Sequence, residues 1–400
     1  MQTEPAGKIP RERLFQLVPF GLVVAYVSLL IATFFMGIWL VGADGRPKAT
    51  DFVSFWAAGK LVLSGHATDA YDWTIHKAVA TSNGIDIGGH FTFQYPPTFL
   101  LLTPVLALTP YPAAMLVWTA IGLPIYLTAV RLIAGGWNAT LAALAWPAVL
   151  WNTVVGQTGF LTAALLGAGV ALIDRRPALS GILFGLLTYK PQFGLLIPVA
   201  LIAGGRWRVV GWAVLSALIL CAISAAVFGT STWIAFFDSI ARINGAILTA
   251  GGTDFSKLQS LYGYVRALGG GSEMAWLAHG ALVLFLAAFV GWLWRSDAPF
   301  DLKAAALSAA TVLASPYSFI YDFVALAVPI IFLGRAGFSN RELTFVIAAA
   351  LLVGWGPADH LATALLAGLS VLGLVIGRAY RGHTAGASLG SIDRSAKLQP

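Results

Sequence analysis

Residues 15–41 read FQLVPFGLVVAYVSLLIATFFMGIWLV, a stretch without a single charge, and residues 51–59 read DFVSFWAAG. A helix needs about 20 consecutive apolar residues to cross the hydrocarbon core of a bilayer, so the first stretch predicts a membrane-spanning helix. It is too long for the apolar region of a cleaved signal peptide, and no small-residue cleavage site follows it, which predicts a retained anchor. Asp51 then stands where that helix emerges into a polar loop, in a chain poor in acids.

The rest of the chain repeats the pattern. Of 400 residues, 58% are hydrophobic and 10% charged, with mean hydropathy +0.81. Soluble domains carry about 25% charged residues, so the composition predicts an all-α polytopic integral membrane protein. Hydrophobic runs fall at about 15–41, 97–110, 111–134, 138–152, 158–173, 178–189, 191–204, 207–228, 276–294, 302–315, 321–334, 343–356 and 360–377. Several are too short to cross a bilayer alone and read as broken or buried helices. The pI of 9.6 does not point to nucleic acid, because the basic residues come in short clusters between apolar runs.

Those clusters set the expected topology. Lys8/Arg11/Arg13, Arg175/Arg176, Arg206/Arg208, Arg335/Arg341 and Arg378/Arg381/Arg394/Lys397 lie in short connections and tails, whereas loops 42–96 and 229–275 have no basic excess. Basic residues favour the cytoplasmic side. Both loops are therefore expected outside and both termini inside, with residues 1–14 a cytoplasmic tail, 15–377 the membrane domain and 378–400 a disordered cytoplasmic tail. Termini on one side need an even number of crossings, so about twelve transmembrane helices are expected. In the first loop, Phe52, Phe55, Trp56, Gly59 and Leu63 recur at helical spacing with Ser54 and Lys60 opposite, which predicts an amphipathic interfacial helix. The stretch 68–73 predicts the start of a second helix, Asn83-Gly84 its end, and Tyr95-Pro96-Pro97 an extended return to the membrane.

Asp51 could cap the interfacial helix, since carboxylates at helix starts accept backbone N–H bonds. Spacing alone favours that reading. A carboxylate at the membrane face can equally serve as a general base on a lipid-borne substrate, and the two roles are compatible. Lys190, in the turn Leu187 to Gln192 between two short runs, is either an anion ligand in a recessed cavity or a snorkelling lysine. Gln157 could bond a sugar hydroxyl or link two helices. Arg266 suits bidentate phosphate contact or simply faces headgroups. Asp322, at the break 315–322, is a helix cap, a lysine partner or an acceptor-binding group.

Other chemistries find no footing. The six histidines lack metal-ligand spacing, no phosphate-binding glycine-lysine loop occurs, and Cys221 is the sole cysteine. A Gly-x-Ser-x-Gly match at 386–390 sits in the polar tail without the strand–turn–helix context of a nucleophile elbow.

In order along the chain, Asp51 to Gly59 with Gly65 and Tyr71, Tyr95-Pro96-Pro97, Gly156-Gln157, Arg175/Arg176 with Gly181, Gly185 and Lys190-Pro191, Arg206-Trp207, Gln259-Ser260-Leu261 to Arg266, and Ser315-Pro316 through Tyr321-Asp322 together resemble glycosyltransferase family 87, a mannosyltransferase group of the GT-C superfamily. The chain departs from the family pattern at Leu258 and at Tyr321-Asp322. The resemblance implies a GT-C fold with Asp51 as catalytic residue and a polyprenyl-phosphate-sugar donor used outside the bacterial inner membrane without a nucleotide. Lys190 and Arg266 would then bind the donor phosphate, and Gln157, Tyr95, Gln259, Tyr321 and Asp322 the substrates. The acceptor would be a lipid-linked or glycan hydroxyl. No cofactor, metal or nucleic-acid partner is expected; the lipid-linked sugar is itself a substrate. A transporter or lipid flippase is the competing reading, against which stands the lack of visible repeat symmetry.

Overall fold

A computed structural model describes residues 11–85, 87, 93–243, 245, 255–356 and 361–396, with side chains placed for all of these except 11–15, 243 and 383–396. The tail 1–10, residues 86, 88–92, 244 and 246–254 of the two large loops, and residues 357–360 and 397–400 lie outside the described residues. Within the described residues the structure is α-helical and 3-10 helical, with one isolated bridge between Val41 and Pro47. That bears out the all-α membrane class.

Among the described residues, five helices are long and apolar enough to cross a membrane: Gln16–Phe35, Tyr111–Ala134, Trp207–Phe228, Ser272–Arg295 and Thr363–Gly382. The other apolar runs form shorter helices, and several of them are broken. Prolines make the breaks: helices Pro97–Leu100, Pro147–Val155 and Pro177–Leu186 and the 3-10 turn Pro191–Gly194 all begin on one. Proline starts a helix well because its missing N–H has no partner there anyway, and it forces the preceding residue out of the helix. The expected run 138–152 is accordingly two helices, Trp137–Leu144 and Pro147–Val155. At the centre of the bundle lies Phe300–Leu313, in which every residue from Ala304 to Leu313 is buried.

One expectation is corrected. The helix Val53–Leu63 does not carry Ser54 on an exposed polar face: Val53 to Gly59 and Leu61 are all buried within the protein, Ser54 included. A helix apolar nearly all round belongs in a core; Ser54 satisfies its hydroxyl on the Asp51 carbonyl at 2.8 Å, and Trp56 donates to the Thr109 carbonyl at 2.9 Å. Loop 229–275 contains an amphipathic helix, Thr230–Ile243, which meets the first loop through Tyr71 and Phe236, ring centres 5.7 Å apart. The last helix runs from Thr363 to Ala396, and no proline interrupts it. The second helix of the first loop forms as expected. Trp73–Ser82 is capped by Asp72, whose carboxylate accepts from the Thr74 and Ile75 N–H groups, and Asn83 and Gly84 end it.

Candidate active site

Asp51 is held by its neighbours on both sides. The Thr50 N–H donates to the Tyr111 hydroxyl at 2.8 Å, and the Phe52 N–H donates to the Val155 carbonyl at 3.0 Å. The second bond docks the loop on the C-terminus of helix Pro147–Val155. Gly156 ends that helix at φ +70°, and a Cβ there would lie 2.7 Å from Phe52 Cβ. Only glycine meets both conditions at low cost. The chain then turns Gln157 toward Asp51.

The Asp51 side chain does not cap helix Val53–Leu63. Phe52 occupies the N-cap and no side-chain cap bond is made. The carboxylate instead accepts from Gln157 Nε2, at 3.4 Å on Oδ2. Gln157 Oε1 in turn accepts from the Tyr95 hydroxyl at 2.8 Å. Tyr95 stacks on Tyr189, ring centres 6.2 Å apart, which brings in Lys190.

Lys190 precedes Pro191, so its backbone is forced out of the helical region, to φ −139° and ψ 67°. The helix stops, and the ammonium turns into the protein, where the residue is only 5% exposed. It pairs there with Asp322 Oδ1 and lies over the rings of Tyr321 and Phe193, 5.2 and 5.3 Å from their centres. The other carboxylate oxygen of Asp322 accepts the Phe319 N–H at 3.0 Å. Asp322 is therefore both cap and lysine partner. Gly159 brings this element against the Gln157 turn: a Cβ at 159 would sit 2.4 Å from the Tyr321 carbonyl oxygen.

Five stretches that are far apart in sequence thus converge, around Asp51, Tyr95, Gln157, Lys190 and Tyr321-Asp322. Two expected site residues have other surroundings. Gln259 is 1% exposed; its Oε1 accepts the Ala364 N–H at 2.9 Å and its Nε2 donates to the Ser256 carbonyl at 2.7 Å. Its amide ties loop 229–275 to the start of the last helix. Arg266, on helix Leu261–Ala267, lies over the Phe255 ring at 4.5 Å.

Sequence reading passed over Lys257. It is exposed, at the end of the turn Phe255–Lys257, and its charge is felt at Asp51. Nothing in the local pattern marks it, since the loop brings it there only through the fold. Asp51, half-buried in the loop beyond the first span, has its carboxyl raised to about 6. Burial is the main cause. The Gln157 hydrogen bond and the charges of Lys257 and Lys190 pull it back down, while Asp322 pushes it up. A carboxyl poised near neutrality suits proton transfer.

Residues 93–316, more than half of the chain, match glycosyltransferase family 87. The chain belongs to that family and is a glycosyltransferase. The match includes Tyr95, Gln157, Lys190, Gln259 and Arg266; Asp51, Tyr321 and Asp322 lie outside it. No curated protein and no solved structure matches the chain.

Proposed function

We propose that this glycosyltransferase moves a sugar, mannose by the family resemblance, from a polyprenyl-phosphate donor to a hydroxyl of a lipid-linked or glycan acceptor, with inversion, at the outer face of the bacterial inner membrane. The observation that carries this reading is the bond from Gln157 to Asp51. It ties a half-buried carboxylate, in the first large loop, to the family core. Asp51 would accept the acceptor proton as its oxygen attacks the anomeric carbon. Inversion follows from the use of one base. A retaining reaction asks for a second carboxyl as nucleophile, and both oxygens of Asp322 are already engaged by Lys190 and the Phe319 N–H.

The leaving phosphate needs cations. Lys190 is neutralised in part by Asp322, so we assign the outer contact to Lys257 with Arg266, which the Phe255 ring brings to the same loop, and leave Lys190 as a deeper positive charge. Family membership favours transfer over the transporter reading.

The test is transfer by the purified protein in liposomes, offered radiolabelled polyprenyl-phosphate-mannose or a nucleotide-mannose. Product from the lipid donor alone is expected; product from the nucleotide sugar alone would overturn the donor assignment. The rate should fall about tenfold per pH unit below a midpoint set by Asp51 at about 6, rather than near 4 as for an ordinary carboxylate. A rate that stays flat down to about pH 4.5 would remove Asp51 as the base.

Orientation has its own check. With Cys221 replaced, single cysteines placed in loops 42–96 and 229–275 should react with an impermeant maleimide in intact cells, and cysteines after Arg378 should not. Labelling of the tail alone would reverse the topology.

A further inference from the structure

The amide of Gln157 is oriented by more than Asp51. Its Oε1 takes two donors, the Tyr95 hydroxyl at 2.8 Å and the Thr158 backbone N–H at 3.2 Å. With the oxygen end so occupied, only the NH2 end remains to face Asp51 Oδ2. Trp118 holds the backbone of the same residue, donating to the Gln157 carbonyl at 3.3 Å. Tyr95 is itself fixed. Its carbonyl accepts the Tyr71 hydroxyl at 2.9 Å, its ring packs on Phe99 with centres 4.9 Å apart, and its hydroxyl also lies 3.5 Å from Thr158 Oγ1. Tyr95, Gln157 and Asp51 are all buried or half-buried.

We propose that Tyr95 and Gln157 are positioning residues rather than sugar ligands: the Tyr95 hydroxyl sets which end of the Gln157 amide faces Asp51, and that amide holds Oδ2 so that Oδ1 takes the acceptor proton. The proposal rests on the transfer reading given above. In the step itself the acceptor O–H proton passes to Asp51 Oδ1 and the freed oxygen electron pair forms the bond to the anomeric carbon. The bond from that carbon to the phosphate oxygen breaks, and its electron pair leaves with the phosphate. Without the Tyr95 hydroxyl, one of the two donors on Oε1 is gone. The amide can then turn its oxygen toward the carboxylate, lone pair against lone pair, and the base loses its fixed orientation.

The groups around Asp51 that share its electrostatics are Lys257, Lys190 and Asp322, with the phenols of Tyr95, Tyr111 and Tyr321. Tyr95→Phe changes none of the charged ones. Burial raises the Tyr95 phenol above its ordinary value, so this variant removes a hydrogen bond and no charge.

The experiment is infrared titration of the Asp51 carboxyl in the purified full chain, its band identified by loss in Asp51→Asn. In Tyr95→Phe and in Gln157→Met the midpoint is expected to move upward, because the amide donation that favours the ionised form is weakened or lost. The double variant should move no further than Gln157→Met alone, as two links of one chain are not additive. Tyr95→Phe keeps the stacked ring, so it carries the test even if Gln157→Met fails to fold. With a working donor, kcat should fall about tenfold and KM stay within about twofold, the loss expected of one hydrogen bond to a charged group. An unmoved midpoint in Tyr95→Phe, or fully additive shifts, overturns the proposal. So does a raised KM with unchanged kcat, which would make these residues sugar ligands. Because the titration needs no substrate, its failure is distinguishable from failure of the transfer reading.

Discussion

Asp51→Asn will abolish sugar transfer and leave the protein folded. The amide can still accept the Gln157 N–H where Oδ2 does now, at 3.4 Å, and the backbone bonds of Thr50 and Phe52 do not involve the side chain. What is lost is the proton acceptor, a contribution of about 10²–10⁴ in rate where a general base is used. Stability supplies an independent check. Burial raises the folded-state carboxyl to about 6, so the fold favours the protonated form. That contribution is present below the unfolded value, about 4, and is lost as pH rises through the folded value of about 6. At higher pH the ionised carboxylate is a strain on the fold that Asn does not share. The variant should therefore melt no lower than the wild type at about pH 8, with any gain shrinking at about pH 4. Wild-type turnover in the variant would remove Asp51 from the chemistry. A strongly lowered melting temperature at about pH 8 would instead make it a structural residue.

Lys190→Met is expected to have the largest effect on stability. Read from sequence, Lys190 could have been a snorkelling side chain, and Met would then be harmless. The structure buries the ammonium against Asp322, whose side chain has no exposure. Removing it leaves a buried carboxylate with one backbone N–H as support. Breaking one partner of such a pair costs about 3–5 kcal/mol, enough to lower expression and melting temperature sharply. Lys190→Met combined with Asp322→Asn removes both charges and keeps an oxygen for the Phe319 N–H. The pair of changes should recover most of the lost stability, because the desolvated charge is gone. Transfer by that double variant decides what Lys190 does besides pairing. Slow turnover marks its positive charge as part of leaving-group stabilisation; near-wild-type turnover leaves the phosphate to Lys257 and Arg266. Equal melting temperatures for wild type and Lys190→Met would mean that the pair does not form in the membrane.

Composition and hydropathy suffice for the solvent of this protein and the class of its fold. Hydropathy is a property of each residue summed over a window, so uncharged runs such as 15–41 declare a membrane without any knowledge of contacts. Local chemistry was equally readable where its partners are local. Asp72 caps the helix through the N–H groups of Thr74 and Ile75, and Pro191 shapes the residue just before it. The ordered motifs were enough to point to family 87, and to bring forward Asp51, Gln157, Lys190 and Asp322 one at a time.

Which of these residues come together depends on the folded chain. Lys190 and Asp322 are 132 positions apart and Asp51 and Gln157 are 106 apart, so no spacing rule reaches them; their pairing depends on how proline-started helices stack. The reading of helix Val53–Leu63 as having an exposed polar face failed for a related reason. Its helical spacing suits an interface and a core equally, and only the elements packed around Ser54 and Gly59 show that both sit in the core. Gln259 reads the same in sequence whether it grips a sugar or a backbone. The Ala364 N–H that it bonds is 105 residues away. Charge, burial and hydrogen-bond partner are set by three-dimensional neighbours, and those neighbours exist only once the chain has folded.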